Sequence, residues 1–311
     1  MFDFRLTEFV LMGVLFMVGM HEEKQHGRLS FPYAIYTCRI PEVLKSFPLH
    51  WHDEMEIIYI SEGSMVVSVQ NSETILKEGE MIFIRPQLIH SIRPDGDNKA
   101  LYYNILFRFT LLENNTKTYC AEKYLYPLYS GELFSPEHIA LDHELCPILT
   151  PHIKTLVENK HYEGKGEELL IKSELFAIMY HLYKYSRPGD EQDIYRLKLS
   201  DKLKTAISFA EEHYNENISV SQAAELCNFS ESHFSKMFRS LTGTSFIQYL
   251  KNYRLEMAAE KLSSENKNVS ETAIECGFNN ISYFTRAFFH KYGVTPSQYI
   301  SSYKKINLNI R

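Results

Sequence analysis

The sequence predicts a multi-domain α and β protein: a small β-sandwich or barrel, a helical segment, and an all-α domain of two helix-turn-helix units. Three observations predict it. Short β-branched and aromatic runs separated by turn-formers fill residues 28–110, an amphipathic pattern follows over 135–185, and the last hundred residues repeat themselves once. With 311 residues and 23% charged, 44% hydrophobic side chains, each half is long enough to bury its own core, and fibrous or disordered classes are excluded.

The first feature in chain order is an apolar run, Phe9 to Met20. It is too short to span a bilayer, which needs about 20 residues. Asp3, Arg5 and Glu8 ahead of it are net acidic and no A-x-A-like cleavage site follows, which argues against a signal peptide. Met20 as the start of the chain is the preferred reading, with a short core helix as the alternative to it.

Met55–Ile60, Ser64–Val69 and Met81–Ile84 read as strands. Glu62-Gly63, Gln70-Asn71, Glu78-Gly79 and Pro94-Asp-Gly-Asp mark the turns between and after them. Within Glu168–Tyr183, Ile171, Leu175, Ile178 and Leu182 step by 4, 3 and 4, which makes a seam on one helix face. That seam either packs on the β-domain or forms a homodimer contact through residues 167–185, and spacing leaves both open. Ser186-Arg-Pro-Gly-Asp breaks the pattern. The expected organisation is a β-domain over 20–130, a helical segment over 131–186, a linker over 187–199 and a helical domain over 200–305.

The repeat carries most information. Val220, Ser221, Ala224, Cys227 and Phe229 recur 49 positions on as Val269, Ser270, Ala273, Cys276 and Phe278. After one added turn residue, Phe234, Phe238, Gly243, Gln248 and Tyr249 recur 50 positions on as Phe284, Phe288, Gly293, Gln298 and Tyr299. Each copy offers a short helix with a small inner residue (Ala224; Ala273) and a turn suited to left-handed backbone (Asn228; Gly277). An N-cap follows, Ser230 in one copy and Asn279 or Asn280 in the other. The second helix buries Phe234, Phe238 and Leu241, or Phe284, Phe288 and Tyr292. Its outer face then carries Ser232, His233, Ser235, Lys236 and Arg239 in the first copy, and Ile281, Ser282, Thr285, Arg286 and Phe289 in the second. Small hydroxyls allow close approach to a groove floor, Lys and Arg reach guanine edges or phosphates, and the helix N-termini at Ser230 and Asn280 suit phosphate. Ser245–Leu262 reads as a connecting helix burying Ile247, Leu250, Met257, Ala258 and Leu262. Such a connector lets one chain meet two successive major grooves, roughly 34 Å apart.

Net charge is −6, yet its distribution is uneven. Residues 200–311 hold 13 basic and 11 acidic side chains, leaving −8 for residues 1–199. The helical half alone has the sign that suits phosphates, weakly. The five cysteines form no CxxC or zinc spacing and read as reduced thiols.

Residues 200–305 resemble the DNA-binding domain of the AraC/XylS family of bacterial regulators. The most specific stretch is Gly277-Phe278, then Tyr283-Phe-Thr-Arg-Ala-Phe288, Gly293-Val-Thr-Pro296 and Tyr299. The resemblance implies that Ser232, Ser235, Lys236, Ser282, Thr285 and Arg286 face bases. Ile281 departs from the polar residue often found there, and Ile300 from the usual Arg.

His50-Trp-His52-Asp-Glu-Met-Glu56, Gly63, Gly79 and Pro86-Gln-Leu-Ile-His90 resemble the two motifs of a cupin barrel, a common N-terminal domain in that family. In metal-bearing cupins the residues matching His50, His52, Glu56 and His90 bind a divalent ion. Pro86 and His90 stand one residue closer than in that pattern, and a Gly is missing between them. Three readings stand: a metal site, an effector pocket formed by His50, Trp51, His52, Glu56 and His90, or histidines with a structural role. The pocket is preferred, with Trp51, Tyr59, Tyr102 and Tyr103 as candidate aromatic lining for a sugar or aromatic effector, and no cofactor is expected. The resulting expectation is a cytoplasmic, effector-responsive regulator that binds promoter DNA and works with RNA polymerase. It has no membrane association and no catalytic residues. A metal-dependent cupin enzyme with a DNA-binding tail is the rival.

Overall fold

The computed structural model describes residues 19–301, apart from 23, 71, 114–117, 162–163 and 265–267. Most of the apolar run at 9–20 therefore lies outside the described residues. The described chain divides into two compact units, His21–Ser200 and the residues from Asp201 onward, the second also including Gly19 and Met20.

The N-terminal unit is built around one long strand. In chain order its strands are β1 (Tyr33–Ile40), β2 (Phe47–His50), β3 (Met55–Val69), β4 (Ser72–Lys77), β5 (Met81–Ile84), β6 (His90–Pro94) and β7 (Ala100–Phe107). The short β8 (Leu133–Phe134), β9 (His138–Ile139) and β10 (Arg187–Pro188) follow. The first part of β3 pairs with β7 and β5, extending to β1 and β9; its second part pairs with β4 and β6, extending to β2. The two runs that the sequence separates at Glu62-Gly63 are thus one strand that passes from one sheet to the other. The register slips between Ile60 and Glu62. Gly63 has φ +79°, and a Cβ there would collide with the Lys99 carbonyl, so only glycine serves at this bend.

Alternation along β3 sends side chains to two cores. Met55, Ile57 and Tyr59 join Phe83, Ile105 and Phe107 under two helices, α2 (Cys146–Glu158) and α3 (Glu167–Lys184). Ile58 and Ile60 join Met65, Val67, Ile82, Ile84, Ile92 and Tyr102 in the other. Glu56 lies on this second side, its carboxylate meeting the His52 and His90 rings. The expected closed barrel is not formed among the described residues. β1, β2, β4 and β9 each pair along one side only, so the domain is an open, cupin-like arrangement of two sheets sharing β3.

A short helix α1 (Tyr126–Ser130), preceded by a π-helical turn, leads to α2. The α3 seam, Ile171, Leu175, Ile178 and Leu182, is wholly buried against the unit's own sheet. The homodimer reading of that seam is corrected accordingly. The linker expected over 187–199 is also corrected: Arg187 and Pro188 pair with β8, and α4 (Glu191–Glu212) begins almost at once. Asp190 Oδ1 accepts the Asp193 N–H at 2.9 Å, the local contact that starts this helix.

The C-terminal unit is helical. The last turns of α4 precede α5 (Val220–Leu226), α6 (Glu231–Thr242), α7 (Phe246–Ser264), α8 (Val269–Glu275) and α9 (Ile281–Tyr292). Phe234 and Phe238 of α6 pack edge-on against Phe246 of α7, while Phe284 and Phe288 of α9 pack with Leu255, Ala258 and Leu262 of α7 and Ala273 of α8. The central helix buries Phe246, Tyr249, Leu250, Leu255, Ala258, Ala259 and Leu262. Ile247, expected inside, is 49% exposed and Met257 is only half-buried; the buried stripe passes through Phe246, Tyr249 and Leu250 instead. Among the described residues no helix is long and apolar enough to cross a membrane.

Candidate functional site

Two places gather functional side chains, one in each unit. In the N-terminal unit, β2 ends at His50, the turn into β3 carries His52, and β3 and β6 bring Glu56 and His90. All four are buried, and one donor atom from each lies within 4.8 Å of the others. His50 stands opposite His90 in the β2–β6 ladder, which accounts for their ring centroids being 4.1 Å apart. The loop before His90 is one residue short of the cupin pattern. It closes because Gln87 takes a left-handed φ of +62° and donates its N–H to His52 O at 2.7 Å. The bend that a glycine was expected to supply is made by Gln87.

The hydrogen bonds fix which ring nitrogens face inward. His50 Nδ1 meets Pro48 O at 2.9 Å and His90 Nδ1 meets Leu88 O at 2.7 Å. Carbonyl oxygens only accept, so both Nδ1 atoms carry hydrogen and the neutral rings present bare Nε2 lone pairs. His90 Nε2 lies 2.8 Å from Glu56 Oε2, and His52 Nε2 lies 2.9 Å from the same oxygen. His52 Nε2–H donates to that oxygen, whereas His90, its Nδ1 hydrogen already given to Leu88 O, meets Glu56 through a second proton on Nε2 or through a metal ion. Burial alone would push the Glu56 carboxyl up, but His90 and His52 hold it well below the usual carboxylate range. Burial works to lower His90, yet Glu56 beside it raises it. His50 is pushed down to about 3 by burial and by His90 and His52.

Further groups support the four. Glu54, buried, lies 3.6 Å from His52 Nδ1 and accepts a 2.8 Å bond from Arg108 Nε. Glu22 lies 3.7 Å from His50 Nε2 and 3.5 Å from His26 Nε2. The adjoining cavity has about 500 Å³ of non-atom space with its open mouth counted, but only ≈ 40 Å³ admits the centre of a water. Tyr102 and Asn104 line it, and the buried Asn104 Oδ1 has no hydrogen-bond partner.

Trp51 is buried but stacks on His21, centroids 5.5 Å apart, and does not line this cavity. Tyr59 and Tyr103 belong to the opposite core, so of the expected aromatic lining only Tyr102 is in place. Glu22, His26 and Asn104 were missed. Asn104 was legible as the inward neighbour of Tyr102 at strand period two; the N-terminal segment carried no periodic signal.

In the C-terminal unit the two helix-turn-helix copies have matching backbones. Asn228 has φ +55° and Gly277 +77° in the turns. Ser230 Oγ accepts the His233 N–H at 3.3 Å and Asn280 Oδ1 accepts the Tyr283 N–H at 2.9 Å, which settles Asn280 rather than Asn279 as the cap. Phe234, Met237 and Phe238 are buried in α6 and Phe284 and Phe288 in α9, while Leu241 and Tyr292 are only half-buried. Ser232, His233, Ser235, Lys236 and Arg239 are exposed, as are Ile281, Ser282, Arg286 and Phe289; Thr285 is half-buried. Lys251 of α7, not singled out from sequence, shares a cleft with Arg286 and His290 of α9.

A β-rich ligand-domain fold and a pair of helix-turn-helix units in one chain define a ligand-responsive DNA-binding regulator. Residues 39–179 match the family described as AraC-like ligand binding domain, and residues 223–302 match a helix-turn-helix domain family. The chain belongs to the AraC-type family of helix-turn-helix transcriptional regulators. It is 23% identical to the uncharacterized HTH-type transcriptional regulator YdeC of Bacillus subtilis (strain 168), over 93% of this chain and 97% of that one. It is 24% identical to the probable transcriptional regulator LumQ of Photobacterium leiognathi, over 85% and 96%. Among solved structures, ToxT from Vibrio cholerae aligns at 14% identity over 86% of this chain and 97% of that one, with a TM-score of 0.41.

Proposed function

We propose that this regulator reads DNA with α6 and α9 and is controlled by a divalent transition-metal ion held by His50, His52, Glu56 and His90. The convergence of three buried imidazoles and the Glu56 carboxylate, one donor atom from each within 4.8 Å of the others, carries the second half of this reading. Three imidazoles and a carboxylate are a donor set for Zn, Fe, Mn or Ni, and the backbone carbonyls behind His50 and His90 orient the rings. A bound ion supplies positive charge and joins residues of β2, β3 and β6. The lining favours this over the sugar or aromatic effector expected from sequence, since of the expected aromatic side chains only Tyr102 is in place. A second reading, a small polar molecule beside the four residues, is favoured by the unpartnered Asn104 Oδ1.

On DNA, Ser232, Ser235 and Lys236 meet base edges in one groove and Ser282, Thr285 and Arg286 in the next. Ser230, His233, Arg239, Asn280 and Lys251 meet backbone phosphates. The protein acts in the cytoplasm with RNA polymerase as partner and is not an enzyme. With the α3 seam buried, a homodimer through 167–185 uses the exposed face of that helix, Leu169, Phe176 and Tyr180.

Thermal unfolding and equilibrium DNA binding of the full chain, in Zn(II), Mn(II) or Ni(II) against chelator, test the reading. One of these ions raises Tm by several degrees at one equivalent and shifts DNA affinity at least about tenfold, the scale of a coupling near 1.4 kcal/mol. His52→Ala abolishes both effects while leaving a folded, DNA-binding chain. Identical melting and DNA affinity in ion and chelator contradict the metal reading. A response to small polar compounds alone, lost on Asn104→Ala, supports the second.

A further inference from the structure

The two DNA-facing helices share a backbone but not a chemistry. Aligned through their buried phenylalanines, Glu231, Ser235 and Arg239 of α6 correspond to Ile281, Thr285 and Phe289 of α9. Residues spaced by four lie along one side of a helix, so each set is a stripe. In α6 the stripe is polar and exposed. In α9 it begins with Ile281, 41% exposed, and ends with Phe289, 53% exposed. Between them, Thr285 Oγ1 donates to Ile281 O at 3.0 Å, so its hydroxyl hydrogen is spent on the helix's own backbone. What this part of α9 offers a partner is carbon, beside the guanidinium of Arg286.

An exposed isoleucine at the first turn of a recognition helix faces the base edges, because N-terminal residues of that helix reach them. The major-groove floor presents one apolar group, the C5-methyl of thymine. We infer that α9 reads thymine methyl groups through Ile281 and Thr285, so that the two half-sites differ: one read by hydrogen bonding at α6, one thymine-bearing and read partly by apolar contact at α9. This rests on α6 and α9 being the DNA-reading helices.

Replacing thymine with deoxyuridine removes the methyl and leaves every hydrogen-bonding group in place. The full chain is bound to a duplex enriched by it from a random pool, with the thymines of each half-site replaced one at a time. Half-sites are assigned by the base preference lost in Lys236→Ala and in Arg286→Ala. One or two replacements in the α9 half-site weaken binding roughly fourfold each, the worth of one buried methyl group. Replacements in the α6 half-site change nothing, and Ile281→Ala no longer distinguishes thymine from deoxyuridine at one of the α9 positions. Ile281 is on the surface, so that variant folds. An α9 half-site that lacks thymine, or one indifferent to deoxyuridine in the wild type, overturns the inference while sequence-specific binding stands. Enrichment of no site overturns the assignment of the reading helices, and this inference with it.

Discussion

The two helix-turn-helix units are the natural comparison within this chain, because their scaffolds agree and their surfaces do not. Both have a left-handed turn residue, a side-chain cap on the second helix and two buried phenylalanines one turn apart. What differs is the outward stripe: Glu231, Ser235 and Arg239 against Ile281, Thr285 and Phe289. The shared pattern is fixed by packing around α7, while the outward positions answer only to what they touch. Tandem copies on one rigid helix therefore let a single chain read an asymmetric site.

The largest effect that separates the units is on affinity. Arg286→Ala and Lys236→Ala each weaken binding to an enriched duplex about 10–100-fold, equivalent to about 1–3 kcal/mol per lost base contact, and each relaxes preference in a different half-site. Titration of the variants against duplexes altered in one half at a time shows this. Loss of preference in the same half-site for both variants would break the comparison.

A smaller effect separates the turns. Gly277 has φ +77°, and a Cβ there would stand 3.0 Å from Arg254 Nε and from the carbonyls of Tyr214 and Asn215. Arg254 cannot retreat cheaply, since it donates to Tyr214 O and Glu216 O at 2.6 Å each. Gly277→Ala is expected to cost about 1–2 kcal/mol or more, read from the urea midpoint. Asn228, at φ +55° in the other copy, tolerates the backbone already, so Asn228→Gly changes stability by about 0.5 kcal/mol or less. Equal costs would mean the two turns are not under different constraint.

Legibility followed the same division. The 49- and 50-residue offsets located both units and their turns and the Ser230 cap, leaving the second cap between Asn279 and Asn280, since periodic burial and turn chemistry are local. The 4-3-4 seam of α3 showed that one face is buried, but spacing does not say by what, and its own sheet turned out to cover it. Arg187-Pro-Gly looked like the start of a long linker; Pro188 ends one element, but Asp190 caps the next helix within three residues. In the N-terminal unit the four clustered residues were legible by type and order. Their convergence with Glu22 and His26 was not, because strand pairing and the N-terminal segment bring together residues far apart in sequence. Trp51 was misplaced because an aromatic between two inward histidines on an extended segment faces the other way.

The central claim is that one chain reads two unlike half-sites through α6 and α9. Selection of bound duplexes from a random pool by the full chain, in metal ion and in chelator at physiological salt, tests it most directly. One enriched motif of two different blocks is expected, centred roughly 10 base pairs apart. A single block, or two identical inverted blocks, would contradict it by showing that each chain engages one groove only.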